Sequence, residues 1–214
     1  MALPPVQDFI HDWPGQAALQ LGYGDEASPT GSGAIITREL RPPLWVLNAQ
    51  SRRLRPNTLH EWQAKLETLE NGKVLFWGYE CMRFYPIAYP NGSWPTGPAF
   101  SGSAQLSAVD PNNKALVLQA LPAGYSGRPG DMLSWAYNGD QYALHRVVEA
   151  FTANAGGVTN VFEVRPHIRP LAAAGTAVAV KRPACQMKLI PGSIAIETDP
   201  LGWGTIQFQA GQSL

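Results

Sequence analysis

Turn-forming residues cut the second half of this sequence into short pieces, each with room for a strand and little else. The breaks fall at Asp110-Pro111-Asn112-Asn113, Gly124 to Gly130, Asn138-Gly139-Asp140, Ala155-Gly156-Gly157 and Ala172 to Gly175. Around them lie strand candidates: Ala104 to Val109, Ala115 to Leu121, Met132 to Tyr137, Tyr142 to Ala150, Val158 to Val164, Thr176 to Lys181 and Gln186 to Ile190. Asn-Gly between Tyr137 and Gln141 is a strong hairpin signal, because both turn residues tolerate the positive φ that a tight hairpin needs. Short strands at regular spacing close into a sandwich or a small barrel.

The first half mixes strands with one helix. Ala17, Leu19, Leu21 and Tyr23 alternate, which puts Gln16 to Tyr23 in a strand with those four on one face. Gly24 to Gly33 is rich in Gly, Ser, Pro and Asp and reads as a mobile or partner-ordered loop. Ala34 to Glu39 and Leu44 to Ala49 read as two strands, with Arg41-Pro42-Pro43 as an edge or kink between them. Thr58 to Glu61 has the form of a capping box. Leu59, Trp62, Leu66 and Leu69 follow at helical spacing, so an amphipathic helix is expected from about Thr58 to Asn71, with those four buried and Gly72 as its stop. Lys73 to Tyr79 is a further strand. Ser193 to Glu197 and Thr205 to Gln209 form a last pair. Ile194 and Ile196 must bury one face, and the Pro191-Gly192 breaker separates them from what precedes. Their expected destination is the N-terminal sheet, which makes residues 1–110 with 192–214 one domain and residues 111–191 an inserted one.

A chain of 214 residues is long enough to bury a core, and 45% hydrophobic content makes it globular. Only 15% of its residues are charged, which is low. Gly (21) and Pro (19) cover part of the difference, as suits a turn-rich β protein or one covered by partners. Sixteen basic and sixteen acidic residues give zero net charge, with no Lys or Arg run beyond Arg52-Arg53 and Arg55, which excludes the basic excess of a nucleic-acid-binding domain. Zero net charge also removes self-repulsion and favours association. Cys81 and Cys185 read as free, buried or half-buried thilos of a protein made in a reducing cytoplasm, and no CxxC spacing supports zinc. Met1-Ala2-Leu3-Pro4-Pro5 lacks the basic and apolar regions of a signal peptide, and no apolar run is long enough for a membrane-spanning helix.

The densest chemistry lies between residues 76 and 100, which hold Phe76, Trp77, Tyr79, Phe84, Tyr85, Tyr89, Trp94 and Phe100 among four prolines and an Asn91-Gly92 turn. Two readings stand side by side: an aromatic interface on irregular backbone, or a plug for the end of a barrel. Catalytic patterns are missing. Gly124-Tyr125-Ser126-Gly127 falls one residue short of a nucleophile elbow, and neither phosphate-loop fingerprint occurs. His11, His60, His145 and His167 have no second ligand at metal spacing, and His145 reads as a hydrogen-bonded structural residue. No catalytic, cofactor or metal site is expected.

One order of elements goes further. Arg128-Pro129-Gly130-Asp131 leads into a strand, and the Asn-Gly hairpin follows. Then come His145-Arg146-Val147, Ala153 with Gly156-Gly157, Phe162-Glu163-Val164-Arg165-Pro166-His167-Ile168-Arg169, and Lys181-Arg182-Pro183. With the Trp62 helix before it, this order resembles the distal tail and minor tail proteins of siphophages, over residues 40–190. The resemblance implies a split β-barrel with one amphipathic helix, plus a second small β-barrel or OB-like domain. It implies a ring, typically a hexamer of this chain, between a tail tube protein and a tail-tip hub protein. Such a ring is part of the virion tail, assembled in the bacterial host cytoplasm, and its lumen passes DNA without specific binding. No cofactor and no membrane is implied. The chain departs from the family in one respect: no long tube-type hairpin is legible in its first 40 residues. The alternative is a carbohydrate- or receptor-binding module built on the 76–100 aromatics, with Asn91 and Arg83 as polar partners. A hydrolase would need a nucleophile or carboxylate pair that the sequence does not display.

Overall fold

One β structure is inserted within another along the chain. The computed structural model describes residues 6–213 other than Thr30 and Asp140, so Met1 to Pro5, read above for a leader, and the last residue of the Asn138-Gly139-Asp140 turn lie outside the described residues. In chain order the first strands are β1 (Gly15–Pro29), β2 (Ile35–Ser51), β3 (Phe76–Gly78), β4 (Ser103–Val109), β5 (Ala115–Gln119), β6 (Ser126–Gly127) and β7 (Met132–Asn138). They continue as β8 (Gln141–Val147), β9 (Phe151–Thr152), β10 (Phe162–Arg165), β11 (Ala177–Ala179), β12 (Cys185–Leu189), β13 (Ala195–Thr198) and β14 (Gly204–Gln212). Helix α1 (Pro56–Glu67) lies between β2 and β3. This is the mainly β architecture with one helix and a small barrel that the turn spacing predicts.

Strands β10-β5-β4-β11-β7-β8 form a closed barrel. Leu106, Leu118, Leu133, Trp135, Phe162 and Val178 fill its core. Six of the other strands make a sheet in the order β1-β2-β14-β12-β3, with β13 also on β14, and β6 and β9 pair with each other. The alternating burial of β2 and β14 turns Trp45, Leu47, Ala49, Ile206, Phe208 and Ala210 to one side, in one core with Leu59, Trp62 and Leu66 of α1.

The barrel is not the expected 111–191 segment. Ser103–Val109 belongs to the barrel, and Cys185–Leu189 belongs to the sheet, paired with β3 and β14. A strand goes where its ladder partners are, and no local signal in either segment identifies those partners. The segment after Gly192 does return to the N-terminal sheet, through β14: Gln207 pairs with Gln50 and Gly211 with Val46. Ile196 and its neighbours pair with β14 alone. β12 and β13 share one edge of β14, and the chain bulges between them. There the Ser193 hydroxyl donates to the Gln209 carbonyl at 2.9 Å and accepts from its N–H at 3.1 Å, replacing the missing strand.

Helix α1 starts two residues early and carries no capping box. Pro56 occupies its first turn, Arg55 precedes it, and no side chain caps it. Proline opens the helix because its ring presets φ and its missing N–H would have lacked a helical partner anyway. Leu59, Trp62 and Leu66 are buried as expected, and so is Leu69 just beyond the helix end at Glu67. The chain then reverses through Asn71 and Gly72, both at positive φ. A Cβ on Gly72 would also collide with the Leu189 carbonyl, so the reversal admits little but glycine there.

The barrel and the sheet meet along β8. The Trp45 indole donates to the Leu144 carbonyl at 2.6 Å, and Gln212 reaches the Tyr142 carbonyl at 3.3 Å. The Trp77 and Tyr142 rings meet edge to face at 4.8 Å. Arg146 donates to the Leu19 carbonyl and lies 3.6 Å from Glu80.

Candidate assembly surface

The eight aromatics between residues 76 and 100 are distributed between the two cores, and none is exposed. Phe76 and Tyr79 are buried in the sheet core, with Trp77 and Phe84 against it. Tyr89 and Trp94 are buried in the barrel core, with Tyr85 and Phe100 against it. Ring contacts run from Trp94 to Phe100 at 5.1 Å, from Tyr89 to Tyr125 at 4.7 Å, and on through Phe151 to Phe162 of β10 at 4.0 Å. In the folded chain these rings do not form a free aromatic surface: four pack in or against the sheet core and four in or against the barrel core. The same packing removes the aromatic platform from the carbohydrate reading, and leaves Asn91 and Arg83 exposed without it. Asp131 holds the segment down: its carboxylate accepts the N–H groups of Ile87 and Arg128, each at 2.8 Å. Burial pushes the Asp131 pKa up, against the pull of those two bonds and of Arg83 and Arg128.

Within the segment Met82 and Ile87 are exposed, and four further large apolar side chains are exposed together in the first 40 residues. Of residues 24–33, expected as a loop, Gly24 to Pro29 are strand. β1 and β2 run on past the sheet as a two-stranded arm, paired from Gly24↔Arg41 to Pro29↔Ile35. Tyr23 (61%), Ile35 (71%), Ile36 (61%) and Leu40 (63%) are exposed there. The two strands expected on either side of Arg41-Pro42-Pro43 are one strand of 17 residues. The expected kink is present as register shifts at Gly22/Gly24 and Gly24/Asp25, where the prolines lack ladder donors. At its base the arm shares a cleft with Arg165, Pro166 and His167 of the barrel. Along its outer edge, among the described residues, β1 has no ladder partner besides β2. The sequence hides this arm for a physical reason. With both faces in water, neither strand shows apolar alternation, and backbone pairing leaves no side-chain signature.

The remaining chemistry is structural. His145 lies inside the barrel, stacked on Trp135 at 4.3 Å, with Nδ1 2.9 Å from the Pro166 carbonyl and Nε2 without a partner. Burial pulls its pKa down to about 4, partly offset by the Pro166 bond. His11, His60 and His167 are exposed and scattered. Among the described residues no three His, Cys, Asp or Glu side chains are grouped to hold a metal ion. Cys81 and Cys185 are free and buried in the sheet core, and burial pushes the Cys185 thiol well above its ordinary range. No helix among the described residues is long and apolar enough to cross a membrane. No protein-family model matches the chain, and no curated protein matches it.

Proposed function

We propose that this chain is a structural ring component at the distal end of a phage tail, joining the tail tube to the tip hub and lining the channel through which DNA leaves. The observation that carries the reading is the β1–β2 arm, the long hairpin that the first 40 residues do not betray by pattern. Its four large apolar side chains are mostly in water, and covering each is worth about 1.5–3 kcal/mol. The same contact repeated from copy to copy around a closed ring covers all of them. The unpaired outer edge of β1 offers backbone groups for strand addition by a neighbour. Zero net charge keeps identical chains from repelling one another.

In this reading the ring holds about six chains, the number that the resemblance to distal tail proteins implies, joined by head-to-tail contacts that close. The tail tube protein meets one side and the tip hub protein the other. DNA passes without specific binding, no cofactor takes part, and the ring resides in the virion tail after assembly in the host cytoplasm. The test is mass photometry of the purified chain followed by negative-stain microscopy, with capture of the tail tube protein as a second readout. Closed rings and tube capture are expected. A chain that stays monomeric at high concentration and captures no tube protein sinks the reading.

A further inference from the structure

We infer that the charge-free outer face that β1, β2 and β14 present within the six-stranded sheet is the wall of the DNA channel, an inference that rests on the ring reading above. Gly15 to Gly22, Leu44 to Ser51 and Gly204 to Gln212 contain no Asp, Glu, Lys or Arg. These are the sheet-forming parts of β1, β2 and β14, which lie side by side. An ordinary protein surface carries charge at about a quarter to a third of its positions. Here the outward side carries amides in register instead. Gln16 stands beside Gln50, and Gln50 beside Gln207. In the next row Ala18, Asn48 and Gln209 are neighbours. Asn48 donates to Gln20 at 3.3 Å. Gln16, Ala18, Asn48, Gln50, Gln207 and Gln209 line a shallow, open depression of about 500 Å³.

The composition changes at a defined point. Charge resumes at Asp25 and Glu26, just past the bulges where the arm leaves the sheet, and β12 and β13 at the far side carry Lys188 and Glu197. The inner side of the sheet is already buried in one core with α1 and with Met132 and Leu144 of the barrel strands. The charge-free patch is therefore confined to one open face. That suits a wall passed by a polyanion. Fixed cations would displace counterions from the phosphates and grip the DNA. Fixed anions would raise the potential of a narrow lumen against it. Amides do neither, and they stay hydrogen-bonded to water and to each other as the duplex moves.

Gold labelling of assembled rings tests the assignment. Cys81 and Cys185 are buried, so a maleimide-gold particle reports an introduced thiol. Gln50→Cys is expected to place gold at the ring axis, and His60→Cys, on the exposed side of α1, at the periphery. Gold from Gln50→Cys on the outside of an intact ring overturns the face assignment while leaving the ring reading standing. If no ring forms in the unlabelled protein, both fall. Wild-type rings are also expected to retain no short DNA duplex at low salt, whereas rings carrying Gln16→Lys and Gln50→Lys bind it at least about tenfold tighter, with a salt dependence. Tight binding by wild-type rings overturns the non-retaining wall.

Discussion

His145 is where a single residue gives the fold a pH dependence. Its folded pKa of about 4 lies below its ordinary value of 6.5, so the unfolded chain binds more protons between those values. The stability it contributes is full above about pH 6.5 and is lost as pH falls towards 4. Across that window the loss is on the order of 3 kcal/mol, at 1.36 kcal/mol per pKa unit. Urea denaturation at a series of pH values should show this slope, and His145→Gln should flatten it. An unchanged slope in the variant would place the titration on another group. Asp131 makes a different prediction. Asp131→Asn keeps the shape but offers one acceptor oxygen to two N–H groups, which should cost about 1–3 kcal/mol. A shift in urea midpoint without a change in slope measures it, and a variant as stable as the parent would show the two bonds to be dispensable. The structural role of His145 was readable from its place in a strand beside Arg146. The role of Asp131 was not, because Ile87 lies 44 residues away and nothing in a sequence marks that pairing.

At the scale of the element, α1 and the arm teach opposite lessons. The helix was legible because its apolar face repeats at helical spacing, and Leu59, Trp62 and Leu66 are buried on it. Its start falls within two residues of Thr58, but its cap was misread, because the Thr58 to Glu61 pattern mimics a capping box while Pro56 opens the helix by backbone geometry instead. Thr58→Ala should therefore change stability by no more than about 0.5 kcal/mol. Trp62→Ala should cost about 3–5 kcal/mol through the cavity it leaves. Calorimetry that found the two equally destabilising would restore the capping box. Replacing the arm from Glu26 to Thr37 with a Gly-Ser turn should leave the melting temperature of the single chain nearly unchanged, since those side chains bury little within it. Ring formation should be lost in the same variant. Rings that persist without the arm would remove it as the assembly contact.

The whole molecule is held together by how its chain is threaded. The chain leaves the sheet after β3, closes the barrel over residues 103–179, and returns as β12, β13 and β14, so the barrel is one continuous stretch and the sheet is split around it. Tyr142 and Arg146 of β8 then clamp the barrel to the sheet. A single calorimetric unfolding transition is expected for the wild type, and a broadened or split one for the Tyr142→Ala, Arg146→Ala double variant. Two separate transitions already present in the wild type would show that the clamp does not couple the bodies. By itself the sequence determined the β class, the Asn-Gly hairpin between β7 and β8, the one amphipathic helix and the free buried thiols, because each is written in local periodicity, turn chemistry or composition. Only the tertiary structure decided that β4 joins the barrel and β12 the sheet, that eight aromatics serve two cores, and that Gly24 to Pro29 are strand. Those outcomes depend on which distant strand supplies the hydrogen bonds and which side chain is shielded from water, and a pattern along the chain carries neither.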